Sequence, residues 1–172
     1  MIRFVLIALS CCMLFVGCGY KPKAQYAREV LGQNIYAEVI ISRLDPKNTV
    51  LIKDAISEAI VSRLGGKLTT EDKADSKILV SVGAISFSPT VYDNKGYIIA
   101  YKATVTLNIR YEKKDGKVER IATSGEYDFP IEANSVVSDS KRFNAIKYSS
   151  EDAINEFISK IAVRGMQNGK HD

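Results

Sequence analysis

Cys18 is the residue of this chain best placed for a defined covalent reaction. It directly follows Gly17 and closes a segment in which one cation, Arg3, precedes an apolar run from Phe4 to Phe15. A small residue before a cysteine, behind a short apolar stretch, is where a bacterial secretion signal is cut and the exposed cysteine takes lipid on its sulfur and amine. A spanning helix needs about 20 apolar residues, so this run is too short to remain as a membrane span. Residues 1–17 are therefore expected to leave as a lipoprotein signal peptide, with Cys18 as the lipid attachment site. One acyl chain of roughly 15 methylenes gives on the order of 10 kcal/mol of gross burial, and two or more make such an anchor stable.

Two later segments carry residue types that suit an amphipathic anion. Tyr92-Asp93-Asn94-Lys95-Gly96-Tyr97-Ile98-Ile99 mixes a cation with aromatics and two isoleucines, and Ser140-Lys141-Arg142-Phe143 repeats that mixture. Cations would meet phosphate and the apolar groups would meet acyl chains. The same residues also fit an ordinary turn and a helix start with surface lysines. Catalytic chemistry is not indicated. The only histidine, His171, lies beside the C-terminus, and no nucleophile elbow, paired-histidine metal motif or phosphate loop occurs. The acidic pairs Glu71-Asp72 and Glu151-Asp152 fall in loop and helix-start contexts, where solvated charge explains them. The expectation is a protein that is not an enzyme, with no cofactor and no metal.

Composition narrows the class. The 172 residues carry a net charge of +4 with the cations dispersed, so no polybasic tract points to nucleic acid. Cys11 and Cys12 fall in the discarded run and Cys18 is consumed by acylation, which leaves no thiol for a disulfide. Packing alone must hold the domain together.

The elements that would position these residues follow from hydrophobic period. Residues 18–33 read as a lipid-anchored tether. Ile35 to Ile41 is a strand by β-branched content, and Asp45-Pro46 starts a helix. Ile52, Ala55, Ile56, Ala59, Ile60 and Leu64 mark one buried face of that helix, which Gly65-Gly66 ends. Lys77 to Phe87 is a strand with a phase change near Gly83, a bulge signal. Asp93 to Gly96 is a turn by its side-chain chemistry. Tyr101, Ala103, Val105, Leu107, Ile109 and Tyr111 alternate with Lys102, Thr104, Thr106, Asn108 and Arg110, a strand with one apolar and one polar face. Lys114 to Lys117 reverses the chain into a fourth strand. There Ile121, Thr123, Tyr127, Phe129 and Ile131 share one side, and Arg120, Ser124, Glu126 and Asp128 the other. Pro130 places its end at a sheet edge. A second helix runs from about Phe143 through Ile161. The predicted fold is α+β, a two-layer sandwich with two helices on one face of a four-stranded, mostly antiparallel sheet, in the order β-α-β-β-β-α. The domain spans 34–166, followed by a disordered tail at 167–172. The polar face is either solvated or meets a hydrophilic partner such as the lumen of a large β-barrel.

This arrangement resembles the LptE family of lipopolysaccharide-assembly lipoproteins. The resemblance rests on element order, on Cys18-Gly19-Tyr20 at the anchor, on Tyr92 to Tyr101 and on Ser124 to Ile131. It implies a plug within an LptD-type outer-membrane β-barrel that inserts lipopolysaccharide, a role in assembling that barrel, and lipopolysaccharide binding through basic residues. By position those are Lys95 and either Lys141 or Arg142, although Asp93 stands in the turn where a basic residue would be expected. Gly19, in place of an aspartate, resembles lipoproteins sorted to the outer membrane, which implies a lipid-anchored location on its periplasmic side. Auxiliary lipoproteins of envelope lipid-transport ABC systems have a comparable size and layout and form the alternative, with lipoprotein partners of surface structures a third.

Overall fold

The computed structural model describes residues 22–40, 46–113, 115–133 and 135–168. Cys18 and its signal segment, Gly19, Lys114 and His171 lie outside the described residues. Along the chain run α1 (Lys23–Leu31), β1 (Asn34–Ile40), α2 (Pro46–Ser62), β2 (Lys67–Leu68), a 3-10 turn (Glu71–Lys73), β3 (Ser76–Tyr92), β4 (Ile98–Glu112), β5 (Val118–Pro130) and α3 (Asp139–Asn168). The strands form one sheet in the order β2-β1-β3-β4-β5. β1 is parallel to both β2 and β3, whereas β3, β4 and β5 form an antiparallel meander.

Alternation decides which face is covered. Ala103, Val105, Leu107, Ile109 and Tyr111 of β4 are all buried on the inner face, beside Ile35 and Val39 of β1 and Ile78 and Val80 of β3. The expected helix stripe lies against them: Ile52, Ala55, Ile56, Ala59, Ile60 and Leu64 are at most 4% exposed. Ile146, Ile154, Phe157, Ile158 and Ile161 of α3 complete the layer, with the Phe157 ring edge-on to Tyr111 at 5.8 Å between centroids. The register of β3 against β4 shifts between Val82 and Ala84, so the phase change at Gly83 is a bulge. β5 is the outer strand, which lets Pro130 go without a ladder donor.

Several expectations need correction. Among the described residues the sheet has five strands and is mixed, and three helices cover it rather than two. β2 is two residues long, too short to show a period, and is defined by backbone bonds from Lys67 N to Gln33 O (2.7 Å) and from Thr69 N to Ile35 O (3.1 Å). The segment read as a tether holds α1, which buries Ala27 and Leu31. It packs so closely on α3 that a Cβ on Gly165 would lie 2.5 Å from the Tyr26 carbonyl oxygen. α1 ends at Gly32, whose φ of +79° only glycine adopts without strain and whose N–H donates to Arg28 O. α3 starts four residues before Phe143 and continues to Asn168. Tyr127, placed with the inward residues, is exposed and tilted against Tyr148 at 4.8 Å.

α3 also seals the free edge of β5. Side chains four residues apart on one helix face stack in a row, and Asp152, Glu156 and Lys160 use that row to pair with backbone. Glu156 accepts from Ser124 N (2.8 Å), Asp152 accepts from Glu126 N (3.0 Å), and Lys160 donates to Ala122 O (3.0 Å). Gly125 permits this approach, since a Cβ there would stand 2.0 Å from Ser149 O and 2.2 Å from Ala153 N. An edge closed this way cannot template another strand.

The Ser124 N–H holds the Glu156 carboxyl below its ordinary value of 4.5. A carboxylate whose folded pKa is depressed adds stability above its unfolded value, and that stability is lost as pH falls through the folded pKa. Glu156→Gln is therefore expected to lower stability at pH 7 and to make its decline below about pH 4.5 shallower than in the parent protein. Urea unfolding at pH 7 and at about pH 3.5 checks this, and an unaltered pH dependence would contradict the edge-cap role.

Candidate functional site

The hairpin that joins β3 to β4 places Lys95 at its tip. Asp93 builds the turn: its carboxylate accepts from Lys95 N (2.9 Å) and Tyr97 N (2.8 Å), while Asp93 N donates to Tyr97 O (2.8 Å). Gly96 follows with φ +84° and donates to Asp93 O. The aspartate in the position where a cation would be expected is thus the residue that shapes the loop. Lys95 is exposed, flanked by the exposed rings of Tyr92 and Tyr97.

At this end of the sheet Ile131 and Val137 pack on the inner face beside Ala145 of α3. Phe129 is buried, with Tyr101 stacked on it at 6.2 Å and Phe87 edge-on at the same distance. Beside these rings runs an open groove. One stretch, of about 520 Å³, is lined by Phe87, Tyr101, Val136 and Arg142 among others. The next, of about 340 Å³, shares Tyr101, Ser135 and Val136 and reaches Gly96 and Tyr97. Val136 stands 93% exposed on its rim. The groove therefore has an aromatic and aliphatic floor, with the Lys95 turn at one end and Arg142 at the other.

The neighbouring cations of α3 diverge. Both sit in the first turn, where the helix dipole disfavours positive charge, so each takes a compensating contact. Arg142 places its guanidinium over the Phe87 ring, 5.1 Å from the centroid. Lys141 instead donates through Nζ to Pro130 O at 2.8 Å, pinning the last residue of β5. Among the described residues neither Lys95 nor Arg142 has a carboxylate partner. The structure thus sets the turn that carries Lys95 at one end of the groove and Arg142 at the other, and gives Lys141 a structural contact.

A second surface lies on the far side of the sheet, which none of the described helices covers. Thr104, Thr106, Asn108 and Arg110 of β4 point there, beside Ser86 of β3 and Ser124 of β5. The two-faced alternation made this side legible. The aromatic floor was less so, because Phe87, Tyr101 and Phe129 come from three strands whose pairing only the fold supplies.

Comparison with known proteins resolves the class. The family model for LptE, lipopolysaccharide-assembly, matches residues 36–161. The chain belongs to the LptE family. That match contains the bare sheet face, the hairpin tip, the groove and most of α3. LptE proteins are non-enzymatic envelope lipoproteins of the outer membrane, associated with the lipopolysaccharide transport machinery. Sequence comparison with curated proteins finds no match. Among solved structures, a Xanthomonas campestris protein aligns at TM-score 0.52 and 13% identity, over 83% of this chain and 90% of that one. Rare lipoprotein B from Shewanella oneidensis aligns at TM-score 0.42 and 10% identity (80% and 94% covered), and a lipoprotein B from Nitrosomonas europaea at 0.47 and 11% (90% and 97%). At such identities the likeness concerns the fold alone.

If Asp93 shapes the tip of this LptE hairpin, Asp93→Ala removes the one oxygen that accepts both backbone bonds, and Asp93→Asn keeps an oxygen in place. The alanine variant is expected to lose about 1 kcal/mol of stability and to speed amide exchange at Lys95 and Tyr97, with Asn close to the parent. Equal exchange in all three proteins would contradict the assignment.

Proposed function

We propose that this LptE-family lipoprotein plugs the LptD-type β-barrel of the outer membrane, assists its assembly, and binds lipopolysaccharide during transport to the cell surface. Lipid on Cys18 would hold it to the periplasmic side of that membrane. The observation that carries the reading is the family match over residues 36–161, because that span holds both surfaces such a role requires. A polar sheet face suits a water-filled barrel lumen, where its hydroxyl and amide groups exchange water for partner hydrogen bonds at little net cost. The groove suits lipid A: Phe87, Tyr101 and Val136 offer acyl chains a place to lie, and Lys95 and Arg142 offer charge to phosphate.

An exposed ion pair contributes only about 0–1 kcal/mol, so binding must come from several contacts acting together. Lys95 and Arg142 are the cations to test, since Lys141 is engaged with Pro130 O. Exchanging both for glutamate replaces attraction by repulsion, and a loss of roughly 1.4 kcal/mol already weakens affinity tenfold. Lys95→Glu with Arg142→Glu is expected to reduce lipopolysaccharide binding by the purified soluble domain at least tenfold while its melting temperature stays within a few degrees. Lys141→Glu alone is expected to affect stability more than affinity. Affinity unchanged in the double variant would remove lipopolysaccharide binding at this groove.

A further inference from the structure

The bare sheet face contains one arrangement that the stability of the domain does not explain. Arg110 of β4 and Arg120 of β5 are direct cross-strand partners, and both are exposed on the uncovered side. Ala122 O and Ser124 N, on the same side of β5 as Arg120, bond to α3. Arg110 and Arg120 thus form a pair without mutual backbone hydrogen bonds, the type in which Cα atoms are only about 4.5 Å apart. Like charges placed directly opposite repel.

Other cations of the face are matched. Lys77 Nζ lies 2.8 Å from Glu71, and Lys102 Nζ lies 2.6 Å from Glu126. Among the described residues Arg110 and Arg120 have no ion-pair partner. Beside them a shallow depression of about 390 Å³ is floored by Leu79 and Ala122 and bordered by Ile40, which is 48% exposed. Two planar forks, side by side in a partly apolar setting, match a carboxylate in geometry as well as charge.

We propose that Arg110 and Arg120 together anchor the bare face to an acidic side chain on the inner wall of the partner β-barrel, an inference that rests on the barrel reading above. A bare sheet face can pack against another sheet, with side chains interleaving at about 10 Å spacing. α3 closes the β5 edge, so a partner at this side meets the face and does not add a strand. A glycolipid is the poorer occupant here, because Ile40, Leu79 and Ala122 give acyl chains no enclosure.

The test uses the full-length, affinity-tagged lipoprotein in cells lacking the untagged copy, with the barrel recovered from detergent-solubilised outer membranes and identified by mass spectrometry. Arg110→Glu with Arg120→Glu, and separately Arg110→Gln with Arg120→Gln, are each expected to lower barrel recovery at least tenfold. The Gln pair, relieved of its repulsion, is expected to melt at or above the parent temperature. Undiminished recovery with both double variants, alongside recovery by the parent, overturns the anchor and leaves the barrel reading standing. A fall in melting temperature of the Gln pair overturns it as well, since the pair would then serve the fold. Retained barrel with lost binding to lipopolysaccharide vesicles assigns the site to a lipid phosphate and overturns the protein contact. No barrel recovered by the parent itself removes the barrel reading and the anchor with it.

Discussion

The docking of α3 along β5 is the contact from which the rest of the molecule follows. Its closeness depends on Gly125, where a Cβ would collide with the Ser149 carbonyl and the Ala153 N–H. That proximity brings Asp152, Glu156 and Lys160 within reach of the strand's free backbone groups, so one helix both buries the inner face and closes the outer edge. At its far end Arg164 meets Glu119 and the Tyr111 hydroxyl, with Glu119 also accepting from Lys113 Nζ at 2.7 Å. Burial, then the bond to Glu119, pushes the Tyr111 phenol up to about 12, so it stays a hydrogen-bond donor throughout the ordinary pH range. With every described helix committed to one side, the other side of the sheet has only side chains to offer.

The proposed function divides between two surfaces for the same reason. At the hairpin end of β3 and β4 the aromatic cluster of Phe87, Tyr101 and Phe129 packs with Ile131, Val137 and Ala145, the last from the first turns of α3. An incompletely roofed apolar floor, with a cationic turn at one end and Arg142 at the other, is an amphipathic groove. The bare face is its opposite: hydroxyl and amide side chains on a regular lattice, with Lys77 and Lys102 paired to carboxylates and Arg110 set against Arg120. One surface suits a lipid and the other suits a protein wall, and both fit a small lipoprotein of the lipopolysaccharide-assembly family.

How far this was legible in the sequence depends on the length of each periodic signal. β4 alternates over eleven residues, and every inward position it marks from Ala103 to Tyr111 is buried. The stripe from Ile52 to Leu64 is equally clear. β2 has two residues and no period, and α1 fully buries only Ala27 and Leu31, between a proline and a glycine that read as linker punctuation. The parallel pairing of β1 with β3 leaves no local mark at all, since it depends on which strands become neighbours. The candidate cations show the same limit. Lys95 and Arg142 were visible as residue types in suitable loops, yet only the fold reveals that Lys141 turns to Pro130. Arg110 and Arg120 were both assignable to the polar face, and their opposition followed from the hairpin register, which the turn around Gly116 sets.

The claim on which the account turns is that the uncovered sheet face, and not the helical layer, meets the barrel. Site-specific photo-crosslinking in living cells tests it most directly, with the crosslinker placed at Thr106 in the middle of that face and, for comparison, at Val61 and Val163 on the exposed sides of α2 and α3. The account predicts an adduct between Thr106 and the large lipopolysaccharide-assembly barrel that is several-fold more abundant than any from the two helix positions. Adducts from Val61 or Val163 with none from Thr106 would contradict it.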